Sequence, residues 1–217
     1  MTEEQWFAAS EADVRAAVWS LTPRRQRLLA VAVCRALYDG FDFSGVQAAL
    51  DAAEVFADTL KTKAALRRGR QAVEADRVSL VTDPQFVTNR GSVERALFAA
   101  KMAASENAVV GTVWDALTCV MFLHDLSEEQ ARGLLARGFL DVAGPDPLPS
   151  FSPKWRTETA VLLARQMYES RDFSAMPILA DALQDAGCDN DDILNHCRAE
   201  AVHVRGCWVV DLVIGKT

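Results

Sequence analysis

Missing from this sequence is any complete motif for catalysis or nucleotide binding. It lacks a basic excess: 23 lysines and arginines stand against 30 acidic residues, a net charge of −7. A broad nucleic-acid footprint needs a basic face, so that class is disfavoured. Long apolar runs are absent too, since charges interrupt every hydrophobic stretch well before the ~20 residues that span a bilayer. The opening MTEEQWFAASEADVR is acidic and has no basic region followed by an apolar core, so no export signal is read there. Five cysteines, an odd number without regular spacing, point to free thiols in a reducing compartment. The expected location is the cytoplasm, with no membrane association. Half of the residues are hydrophobic, enough for one substantial core or two small ones without a staple.

What is present is helix after helix. Thr2 with Gln5 forms a capping box before Trp6, and Thr22-Pro23 is a cap followed by proline at the first helical position. The segment that follows, RRQRLLAVAVCRALYDGF, is apolar over more than one face and reads as buried. Phe43, Val46, Leu50, Ala53 and Phe56 recur at helical intervals. Thr62 can cap the next segment, whose stripe of Ala65, Leu66, Val73 and Val78 is weaker and implies more exposure. Helix-length patterns continue through SVERALFAAKMAAS and NAVVGTVWDALTCVMFLHDL. Ser127 caps EEQARGLLARGF, with glutamates where the helix dipole favours anions. The fold class is therefore all-α, a multi-helix bundle with a small C-terminal helical module. Residues 1–137 form the N-terminal region. Residues 138–153 hold four of the seven prolines and two glycines, a composition that no helix interior accepts, and read as a linker. Residues 154–217 form the module, in four short segments. The basic strips, Arg24, Arg25 and Arg27, then Lys61, Lys63, Arg67, Arg68 and Arg70, sit at helical spacing and read as solvated faces.

Three cysteines and two of the three histidines crowd into GCDNDDILNHCR and HVRGCWVVDL. Thiolate and imidazole are zinc's ligands, and Cys188, His196, His203 and Cys207 make a candidate set, with His203 and Cys207 on one face if HVRGCWVV is helical. No C-x2-C pair supports it, so no cofactor is expected and zinc is the alternative. A calcium loop starting at Asp189 fails, because Ile193 and Leu194 occupy positions that need an oxygen ligand and a glycine. Asp189 or Asn190 is read instead as a helix cap. A cysteine nucleophile would pair Cys197 or Cys207 with His196 or His203, but such partners normally converge from separate segments, and His124 is the only other histidine. No catalytic residue is assigned. Asn190, His196, His203, Arg205, Trp208 and Asp211 gather polar and aromatic groups at one corner, either a binding surface or an internal hydrogen-bond network.

The stretch MPILADALQDAGCDNDDILNHCRAEAVHVRGCWVVDLVIGKT resembles the C-terminal end of a large family of bacterial proteins, expanded in planctomycetes and without an established activity. MTEEQWFAAS, RRQRLLAVAVCRALYD and AAEVFADTL resemble its beginning. The resemblance carries over no catalytic residue and implies an intracellular bacterial protein. The leading expectation is a non-enzymatic helical interaction or adaptor module with a protein partner. The alternatives are a metal- or cysteine-dependent enzyme centred on the Cys/His cluster, and a helical regulator of nucleic acid acting through the Arg24 to Arg27 face.

Overall fold

The computed structural model describes residues 3–37, 43–61, 63–82, 90–105 and 127–216. Among them are eleven α-helices, one 3-10 turn and no strand, so the all-α expectation holds. No helix among the described residues is long and apolar enough to cross a membrane. The chain divides into two compact units, Glu4–Ala136 and Arg137–Thr217, the latter including Met1–Glu3. Thr2, Thr62, Cys119 and His124 lie outside the described residues.

The first unit carries α1 (Glu3–Ala8), α2 (Glu11–Ser20), α3 (Pro23–Leu37), α4 (Ser44–Thr59), α5 (Lys63–Thr82) and α6 (Arg90–Ala103). Ser10 and Asp13 close a reciprocal capping box on α2, each side chain taking the other's backbone N–H. In α3 the run Leu28 to Val31, with Val33 and Cys34, is buried, which is what apolar residues on more than one face require. Helices α4 and α5 approach very closely because both use small residues. A Cβ on Gly69 would lie 2.7 Å from the Ala49 Cα, and one on Gly45 would collide with the Ala72 carbonyl. Across the other side of α4, Arg35 donates to Glu54 at 3.0 Å, Gln47 at 2.8 Å and Asp51 at 2.7 Å. Glu54 is only 2% exposed, and the forked guanidinium is what makes its charge tolerable there.

The basic strip of α3 is not a solvated face. Arg24 pairs with Asp58 at 3.0 Å, and Arg27, 5% exposed, donates to the Ala103 and Ser105 carbonyls at 2.8 and 2.5 Å. Arg27 thus caps the end of α6, where the helix leaves its last carbonyls without partners. Arg70 does similar work on the Ala104 carbonyl at 2.9 Å.

Helix α7 (Glu128–Ala143) opens on Ser127, whose hydroxyl accepts from Gln130 N while Gln130 Oε1 accepts from Ser127 N. It continues through Gly138 to Ala143, inside the stretch expected to be linker. The reason is that the prolines begin only at Pro145, and one glycine inside a helix costs merely ~1 kcal/mol. The second unit then adds α8 (Glu158–Ser170), α9 (Met176–Asp185), α10 (Asp191–Arg198) and α11 (Trp208–Ile214). Its core is one cluster in which Met167, Leu179, Leu183, Ile193, Val209 and Val213 are fully buried or nearly so. Thr157 caps α8 and Asn190 caps α10, accepting from Ile193 N at 3.1 Å with Asp191 and Asp192 in the first turn. That settles the acidic run as helix capping.

Candidate functional site

The polar corner is built from four places on the second unit. Asp141 sits in the last turn of α7 and His196 in the last turn of α10, because the apolar residues Ile193, Leu194 and Cys197 fix which face of α10 turns inward. His203 lies in non-helical chain, residues 199–207, and Cys207 is the N-cap position of α11. The HVRG segment is therefore not helical, against the sequence expectation. His203 and Cys207 still meet, because a turn at Arg205 and Gly206 brings Cys207 N to the Val204 carbonyl at 2.9 Å, with Gly206 at φ +102, a region open to glycine.

Asp141 is the hub. Its Oδ1 lies 2.6 Å from His203 Nδ1 and 3.1 Å from His196 Nε2, and its Oδ2 accepts the Val204 N–H at 2.8 Å. The Cys207 Sγ is 3.3 Å from His196 Nε2 and 4.0 Å from His203 Nδ1. One carboxylate oxygen, two imidazole nitrogens and one sulfur thus all lie within 4.8 Å of one another. The rings are held in place as well: His196 packs edge-on against His203 at 4.9 Å between centroids and tilted against Trp208 at 5.0 Å. His203 Nε2 is buried with no hydrogen-bond partner.

Burial works against charge on Asp141, but the hydrogen bonds from His196 and His203, with their electrostatic attraction, outweigh it and hold the carboxyl below its ordinary value. The thiols go the other way. Burial pushes Cys197 up to about 12 and Cys207 well above the usual thiol range, with the Asp141 charge adding to both. Burial also raises Cys188.

Of the residues singled out in the sequence, the structure brings His196, His203 and Cys207 together and leaves Cys188, itself buried, outside the group. Asp141 takes the fourth place. Its only sequence signal is a lone carboxylate inside the apolar run FLDVA, in a stretch that reads as linker. Asn190 is a cap, Trp208 is 2% exposed against His196, and Asp211 is fully buried within α11. Arg205 lies with its guanidinium 4.4 Å over the Tyr168 ring, a cation–π contact. Outside the corner, His196 and Trp208 also border an open cleft of about 460 Å³, shared with Asp146, Asp192 and Asn195. Compared with known proteins, the chain matches no family model, no curated protein and no solved structure.

Proposed function

We propose that this chain is a non-enzymatic helical module that binds a protein partner in the bacterial cytoplasm. The observation that carries the reading is the inward closure of the polar corner. Asp141 already accepts from His203, His196 and Val204 and is only 3% exposed, so it lacks the access to a substrate that a general base needs. Cys197 and Cys207 are fully buried and held as thiols, whereas the thiolate is the nucleophile. Chemistry invested in this way fixes backbone positions, and a fixed helical scaffold suits recognition. Leu162, 65% exposed on α8, and Ile178, 58% exposed on α9, supply apolar contact outside that scaffold. The resemblance to a family of intracellular bacterial proteins agrees with this setting.

The test is site-specific photo-crosslinking in cells from Leu162 and Ile178, with exposed Glu169 as a control position. One discrete protein adduct from the apolar positions and none from the control is expected. No adduct from either apolar position would sink the reading. The cleft beside His196 favours one second reading, an enzyme centred on the corner, and substrate turnover abolished by His196→Gln would establish it instead.

A further inference from the structure

We propose that Asp141 Oδ1, His196 Nε2, His203 Nδ1 and Cys207 Sγ together bind one divalent cation of the zinc class, in a closed tetrahedral site that locks α7, α10 and α11 to one another. Donor chemistry comes first. Imidazole nitrogen, thiolate sulfur and carboxylate oxygen are the three protein donors that zinc takes, and four protein ligands make a structural site. Calcium and magnesium, which take oxygen, find only one here.

Distances agree. Zinc bonds of ~2.0 to 2.3 Å at tetrahedral angles separate N and O donors by about 3.3 Å and N and S donors by about 3.5 Å. The corner has N–O separations of 2.6 and 3.1 Å and N–S separations of 3.3 and 4.0 Å. The two remaining pairs lie within 4.8 Å, so shifts of roughly an ångström, within side-chain reach, would admit the ion.

Hydrogen bonding alone accounts poorly for the same arrangement. Two imidazoles converge on a single carboxylate oxygen, and the fourth group is a thiol, a weak hydrogen-bond former but a strong zinc ligand. The supporting contacts also fit a ligand set. Val204 N–H occupies Asp141 Oδ2 and turns Oδ1 toward the other three donors, while Trp208 and the neighbouring imidazole orient His196. Such outer contacts are how ligand geometry is fixed at metal sites. On binding, Cys207 gives up its proton to solvent and the sulfur takes the metal in its place.

The test uses the full chain, stripped with chelator and titrated with cobalt(II) as a spectroscopic stand-in and with zinc itself. One equivalent of cobalt should give tetrahedral visible bands and a thiolate-to-metal charge-transfer band in the near ultraviolet. Zinc should displace it at one equivalent and raise the melting temperature. Cys207→Ser should remove the charge-transfer band and weaken zinc by at least the roughly 10- to 100-fold that loss of an outer-shell partner costs, and Cys188→Ser should leave both unchanged. If Cys207→Ser does not fold, X-ray absorption on the zinc-loaded natural chain decides: one sulfur with three lighter neighbours is expected. No cobalt band at excess metal, a band that survives Cys207→Ser, or a shell with no sulfur or more than one would overturn the proposal. The non-enzymatic reading above stands or falls separately.

Discussion

Replacing Asp141 with asparagine keeps the shape of the hub and removes its charge. In the native corner this side chain accepts from His203, His196 and Val204 at 2.6, 3.1 and 2.8 Å. The amide can offer oxygen to the imidazoles or to the Val204 N–H, and its NH2 then faces a donor at the other end. Hydrogen bonds to a charged group contribute ~1.5–3 kcal/mol against ~0.5–1.5 for neutral ones, and a stranded buried N–H costs ~1–3 kcal/mol more. The sum is about 3 kcal/mol, or roughly a hundredfold in the opening equilibrium. Hydrogen exchange by mass spectrometry on chelator-stripped protein, read over α10 and α11, should show protection falling by that factor, while α3 and α4 in the other unit stay unchanged. Acid provides a second arm. Asp141 is held below its ordinary carboxyl value in the folded chain, so the unfolded chain binds its proton more readily. Its contribution is fully present above a pH of about 4 and is lost as pH falls through the folded value. The gap between the natural chain and Asp141→Asn should therefore narrow below a pH of about 4. A change in protection under about threefold near pH 7 would refute the hub reasoning.

Gly144→Ala should destabilise the second unit by about 2–4 kcal/mol, since its φ of +70 disfavours a Cβ and the new atom would sit 2.7 Å from both Leu148 Cδ2 and Trp208 Cγ; denaturant melting followed by tryptophan emission measures it. Arg27→Met should cost about 2–3 kcal/mol by stranding the Ala103 and Ser105 carbonyls, and Arg27→Lys should recover only part of that, because the guanidinium reaches both; loss of protection in α6 is the reading to take. Cys197, fully buried with its thiol near 12, is thiolate to only about one part in ten thousand at pH 8. It should react with iodoacetamide only after unfolding, and prompt native labelling mapped to it by mass spectrometry would contradict the burial.

Features fixed by local chemistry were legible from the chain alone. The Asn190 cap, the Ser127 cap and the Thr22-Pro23 start each depend on residues within one turn, and the burial of Cys34 follows from its apolar neighbours on α3. The candidate site was legible only in part. His196, His203 and Cys207 stood out by residue type, yet the geometry that unites them is a turn at Gly206 and not a helical face. Asp141 escaped because nothing within one turn of it hints at a partner 62 residues away. Arg24 and Arg27 misled for the opposite reason. Periodicity cannot tell an arginine that meets water from one that meets another helix's carbonyls.

That 62-residue span has a kinetic side. Helices α8, α9 and α10 can form and pack through contacts close in sequence, whereas the link from Asp141 to His203 and Val204 must close a long loop before it returns any energy. The corner should thus be made late, after the transition state for folding. Substitutions there would mainly hasten unfolding and leave the folding rate almost untouched, so the corner acts as a latch on the lifetime of the folded unit. Stopped-flow rates for Asp141→Asn that slow folding as much as they speed unfolding would place its formation early instead.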